Sequence, residues 1–205
     1  MLDRLATIAS TLLLSACSVV GVRSGTEEPR FDALGTEAGL EIRRYAPRLA
    51  AETTVSADEA AARNEGFSRL ARYIFGANQG SAKIAMTAPV AQEPTRIAMT
   101  APVAQQATAD GYRIRFFLPA ALRDPPAPDD PRVTIAEVPG ETVAVLRFSG
   151  VPNPDAVAEA RAQLLATLPR TRWTASGDPV AWFYDPPWTI PALRRNEVAV
   201  PVSPR

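Results

Sequence analysis

Histidine is absent from all 205 residues, and cysteine occurs once, as Cys17. The first absence removes the commonest general base and the commonest metal ligand, so serine–histidine and cysteine–histidine mechanisms are excluded by composition. A single thiol excludes an intrachain disulfide, a CxxC redox pair and a thiolate zinc site. Charge of either sign is not in excess: 22 lysines and arginines balance 22 aspartates and glutamates. A nucleic-acid footprint, which needs a basic patch or stripe, is therefore not indicated. No Walker loop, GxGxxG or GxSxG segment occurs. Proline is plentiful, at 20 residues placed mostly after residue 88, which predicts short strands joined by rigid turns.

Long apolar runs are also missing, apart from residues 5–14 (LATIASTLLL). These follow a short n-region and precede Ser15-Ala16-Cys17, the layout of a signal peptide too short to remain as a membrane-spanning helix. Residues 14–17 (LSAC) resemble a bacterial lipobox. That resemblance implies cleavage before Cys17, acylation of its thiol and a stable two-signal membrane anchor. Ser18, where an aspartate would direct retention, implies an outer-membrane lipoprotein facing the periplasm. The expected organisation is a signal peptide over 1–16, a flexible tether over 17–30 and one domain over 31–205.

Within that domain, Leu40, Ile42 and Arg44 alternate against Glu41, Arg43 and Tyr45, and a second strand resumes at Leu49 beyond Pro47. Ser56 and Glu59 have capping-box spacing, with Ser56 as N-cap, and Gly76 marks the end of the helix they open. Its apolar face is Phe67, Leu70, Ala71 and Ile74. A direct repeat, IAMTAPVAQ, occupies 84–92 and again 97–105. It reads either as two adjacent strands turning through residues 93–96 or as one strand with a looped-out copy. Tyr112, Ile114, Phe116 and Leu118 share one face of a strand, opposite Arg113, Arg115 and Phe117. Two more strands are expected over 133–138 and 142–148. Asn153, Pro154 and Asp155 then open a second helix with Val157, Ala160, Leu164, Leu165 and Leu168 on its apolar face. The last strand places Val198, Val200 and Val202 together. Strands, helix, strands, then the same again, predict an α+β fold: a pseudo-two-fold βα repeat forming a twisted, barrel-like antiparallel sheet with two main helices.

Residues 69–76 (RLARYIFG), 83–90 (KIAMTAPV), 130–133 (DPRV), 144–150 (AVLRFSG), 184–189 (YDPPWT) and 194–201 (RRNEVAVP) resemble, in order, the SOUL heme-binding protein family. The resemblance spans nearly all of the chain from residue 32 to 202. It implies a fold similar to bacterial effector-binding domains, and heme or another tetrapyrrole held in a cleft beside the first helix. Some members ligate iron through histidine, which this chain cannot do. Binding would then rest on apolar contact from Phe67, Leu70, Tyr73 and Ile74. Propionate pairing would fall to Arg63, Arg69, Arg72 and Lys83, with Met86, Met99 or Tyr73 as a candidate iron ligand. The same helix face equally suits plain packing on the sheet, and methionine on a strand equally suits core filling.

Three functions compete. The leading one is an envelope-anchored, non-enzymatic tetrapyrrole-binding protein with an apolar cleft and a basic rim. The second is a structural or protein-interaction lipoprotein that has lost its ligand, with no open pocket. The third is a small-molecule hydrolase, which needs a buried carboxyl of raised pKa in a cavity; Glu52, Glu137 and Glu197 are its candidates.

Overall fold

Strand alternation around residue 114 sets the architecture, because it sends Ile114 and Phe116 to one side of a sheet and Arg113, Arg115 and Phe117 to the other. The computed structural model describes residues 26–96 and 110–205. Its elements are β1 (Phe31–Glu37), β2 (Leu40–Tyr45), β3 (Arg48–Val55) and helix α1 (Glu59–Ile74), then β4 (Val90–Arg96), β5 (Asp110–Phe117), β6 (Thr134–Val138) and β7 (Glu141–Phe148). Helix α2 (Pro154–Thr167), β8 (Trp173–Ala175), β9 (Val180–Phe183) and β10 (Asn196–Pro204) complete the chain. Every strand pairing is antiparallel, in the order β1-β2-β7-β10-β9-β4-β5-β3-β6, with β8 attached to β10.

That order carries the expected pseudo-two-fold repeat. Exchanging β2 with β6, β3 with β7, β4 with β9 and β5 with β10 reverses the central run of strands onto itself. The axis passes between β4 and β9, where Val90, Ala91 and Gln92 face Phe183, Trp182 and Ala181. The sheet does not close into a barrel: β1 and β6 remain as its two edges. Strand β1 was not anticipated, because its residues are mostly exposed and carry no apolar alternation.

Both helices cover one face. Helix α1 seals Leu70, Tyr73 and Ile74 over Ile114, Phe116, Ala51 and Val55. Helix α2 seals Val157, Ala160 and Leu164 over Ala144, Val198, Val200 and Phe183. At 25–30 cal/mol per Å² of apolar surface, each such large side chain contributes about 1.5–3 kcal/mol. Three helix expectations change. The N-cap of α1 is Asp58, whose carboxylate accepts from Ala61 N–H at 2.9 Å, and not Ser56. Phe67 and Leu165 stay partly exposed, because the inward stripes run through Ala62, Gly66 and Leu70 and through Ala160 and Leu164. Asn153 caps α2 as expected, accepting from Ala156 N–H at 2.8 Å.

Residues 93–96 are not a turn between repeat copies. They continue β4, with Pro94 opposite Tyr112. The second copy, with Met99, lies outside the described residues, as do Cys17 and the segment expected to be a signal peptide. Glu27 and Glu28, expected in the tether, are seated on the domain. The Glu27 carbonyl accepts from Ala88 N–H at 2.9 Å, and Glu28 pairs with Arg195 at 3.0 Å.

Candidate binding cleft

The sheet face away from the helices is concave over the pseudo-dyad. Small residues lie at its centre, Ala91 on β4 and Ala199 on β10, while Phe117, Trp182, Val138 and Val143 rise around them. The result is an open cleft of about 730 Å³, within the range of small-molecule sites. Val180 and Pro201 extend its apolar wall, and Glu93, Arg113, Arg115, Glu141 and Asp178 supply its charge.

All but Asp178 fall in two ion-paired groups. Arg115 Nε donates to Glu52 at 2.7 Å, and Arg113 and Arg115 both reach Glu93 Oε1, at 2.9 and 3.1 Å. Across the cleft, Arg48 meets Glu141 at 2.6 Å. Its guanidinium is stacked over Phe117 and Tyr45, 4.5 and 4.2 Å from the ring centroids. Burial raises the Glu141 carboxyl, and the nearby Arg48 charge offsets this only in part. Burial likewise lowers the Arg48 pKa. The hydrolase reading anticipated a cavity carboxyl of raised pKa, and Glu141 has that property. Of the three residues put forward for it, Glu52 is tied to Arg115 and Glu137 is exposed on the edge strand.

The third, Glu197, is fully buried in an ion network. Arg43 donates to both of its oxygens, at 2.7 and 3.0 Å, with Arg195 at 2.8 Å and the Tyr184 hydroxyl at 2.7 Å. Burial pushes this carboxyl up, but the bonds and charges of Arg43 and Arg195 outweigh it and hold it low.

Among the described residues, none of those proposed from the sequence lines this cleft. Leu70, Tyr73 and Ile74 are at most 1% exposed and offer a ligand no surface. The Tyr73 hydroxyl donates to the Pro126 carbonyl at 2.9 Å. Arg69 is held by Glu65, Thr53 and the Thr54 carbonyl. Arg63 lies 4.5 Å over the Phe183 ring at the seam between the helices, where Arg161 of α2 reaches Glu59 of α1. Arg72, Lys83 and Met86 are exposed, and Phe67 meets Phe116 edge-on at 5.2 Å. The cleft residues were legible only as the polar side of β5, which in a one-sided sheet would face water.

A model of the SOUL heme-binding protein matches residues 26–201. The chain belongs to the SOUL heme-binding protein family. That family is described by binding, not by catalysis. No curated protein matches. Among solved structures, the SOUL-family chain is similar to the C-terminal domain of EcmrR, with a TM-score of 0.57 and 11% identity over 85% of this chain and 99% of that one. It is also similar to an uncharacterized conserved protein from Listeria innocua, with a TM-score of 0.54 and 10% identity over 82% of this chain and 94% of that one. A hydrolase from Listeria innocua matches with a TM-score of 0.50 and 12% identity over 83% and 94%. At these identities the likeness is one of fold, and folds host many activities. For a tetrapyrrole, the SOUL-family cleft supplies apolar surface and guanidinium donors to ring and carboxylates. It offers iron neither imidazole nor thiolate, and no metal-binding cluster of His, Cys, Asp or Glu occurs among the described residues.

Proposed function

We propose that this protein is an envelope lipoprotein, acylated at Cys17 and facing the periplasm from the outer membrane. It binds heme or a similar carboxylate-bearing tetrapyrrole in the concave cleft rather than beside helix α1. The observation that carries the reading is the 730 Å³ depression, part apolar and part charged, with Arg113 and Arg115 on its wall. A flat ring would rest against Val180 and Pro201, the apolar residues of the cleft that keep exposed surface. Its carboxylates would take the place of Glu93 on the two arginines, a charge-assisted exchange of like for like. Recognition reads the macrocycle and its acids, so metal-free and iron-loaded rings bind alike. A protein-interaction lipoprotein without a ligand needs no such open depression.

The test is a titration of the chain beginning at Cys17 with hemin and with protoporphyrin IX, followed by tetrapyrrole absorbance. Both are expected to saturate with similar affinity. Arg113→Ala is expected to weaken both about tenfold, the worth of one charged hydrogen bond, and Val180→Trp to block both by filling the cleft. The paired substitution of Arg72 and Lys83 by alanine leaves binding unchanged. The reverse pattern would return the site to the helix, and no saturation with either ring would refute the function.

A further inference from the structure

Residues 185–195 leave the sheet after β9 and return to β10 through a closed neck. Arg195 N–H donates to Asp185 Oδ2 at 2.6 Å, and Tyr184 N–H donates to the Arg195 carbonyl at 3.3 Å. This is an Ω-type loop, whose length and close ends are typical of functional surface loops. Its outer side is almost wholly apolar: Trp188 is 64% exposed, Leu193 46% and Ile190 44%, with Val151 beside them at 52%. Val151 adjoins because Gly150 N–H donates to the Pro191 carbonyl at 2.9 Å. Single exposed apolar residues are ordinary, but a cluster of this kind marks an interaction surface.

The loop's polar groups are turned inward. Arg194 Nε donates to the Thr189 carbonyl at 2.8 Å, and its Nη2 donates to the Pro187 carbonyl. Three prolines, at 186, 187 and 191, carry no N–H to satisfy. A loop that satisfies the N–H groups of Thr189, Leu193, Arg194 and Arg195 within itself, with tryptophan at its outer edge, suits the boundary between water and lipid.

The second observation is where the N-terminal segment meets the domain. Glu28 pairs with Arg195, a residue of the loop's neck, at 3.0 Å. The stretch from Cys17 to Glu28 reaches about 40 Å at full extension. An acylated Cys17 would therefore keep the neck of this loop within about 40 Å of the bilayer that carries it, which leaves the loop free to reach that surface. We infer that the loop over 185–195 enters the lipid interface beside the anchor, with Trp188, Ile190 and Leu193 as the inserted side chains. This inference rests on the anchor assigned to Cys17 above.

Because Cys17 is the sole thiol, the chain beginning there can be coupled to a maleimide-headgroup lipid in phosphatidylcholine vesicles, whether or not the cell acylates it. Tryptophan emission is then compared between ordinary vesicles and vesicles with brominated acyl chains. Trp173 and Trp182 are buried in the domain, at 7% and 3% exposed, and should not respond. The expected result is loss of the Trp188 share of the emission, abolished in Trp188→Phe. Unquenched emission from the coupled protein, or quenching that persists in Trp188→Phe, would overturn the insertion. Mass spectrometry of the protein extracted from native membranes reads acylation of Cys17 separately.

Discussion

Replacing Glu197 by glutamine should destabilise the protein by about 3–5 kcal/mol, the cost of breaking a buried ion pair from one side. The carboxylate is 0% exposed and accepts from Arg43 twice, from Arg195 and from Tyr184. An amide keeps the volume but loses the charge and presents one acceptor oxygen. Arg43, 4% exposed, would keep only Glu41 at 2.6 Å as a charged partner. Arg195 suffers less, since Glu28 remains. A domain of this size is stable by about 5–15 kcal/mol, and about 1 kcal/mol moves its midpoint by roughly 2–4 °C. The expected fall in Tm is thus on the order of 10 °C, with a matching shift of the urea midpoint at unchanged slope. Arg43→Met combined with Glu197→Met should cost less than the two single changes together, because neither then strands a charge. The acid limb carries the same signature. The folded pKa of Glu197 lies below its unfolded value, so its contribution is complete above the ordinary carboxylate range and fades as pH falls toward the folded pKa. Glu197→Gln should flatten that limb. A loss under about 1 kcal/mol, or full additivity with Arg43→Met, would refute the network as a keystone.

Asp58→Ala should cost about 1 kcal/mol of stability as the cap of α1 is lost, while Ser56→Ala should leave the urea midpoint unmoved. Gly66→Ala should destabilise despite better helix propensity, because the added Cβ would sit 2.6 Å from Ile114 Cγ1. Overpacking costs about 1–3 kcal/mol against a helix gain of about 1 kcal/mol. Trimming the partner in Gly66→Ala/Ile114→Val should recover part of the thermal midpoint. Affinity for a dicarboxylate tetrapyrrole should rise as pH drops from neutral through the raised Glu141 titration, since protonation removes a like charge from the cleft. Glu141→Gln should abolish that pH dependence in the same absorbance titration.

Much of this fold was present in local patterns. Val198, Val200 and Val202 alternate because the helix α2 core lies on one side only, and Asn153-Pro154 announces α2 by backbone requirements that act within a single turn. The duplicated order of strands and helices carried the pseudo-two-fold relation. The interior of α1 was legible in part: Leu70 and Ile74 were read correctly as an apolar stripe. Gly66 and Ala62 were missed, because close approach of helix to sheet selects small residues with no hydrophobic signature. Edge strand β1 and three-residue β8 carry too little apolar alternation to declare themselves.

The site was not written in the same way. Arg113, Arg115 and Phe117 occupy the side of β5 that a local reading assigns to solvent, and Glu93 and Glu141 lie on strands far apart in the chain. Only the sheet order brings β4, β5, β7, β9 and β10 around one depression. By itself the sequence determined the absence of histidine chemistry, the two-helix repeat and the candidate anchor at Cys17, because these depend on composition and on contacts within a few residues. Tertiary structure decided which charges are paired, which aromatics are exposed and where the cleft lies. Those properties are set by residues of one sheet more than 50 positions apart in the chain, such as Glu52 with Arg115 on adjacent strands and Arg43 with Glu197 across β7, and no local pattern encodes such pairings.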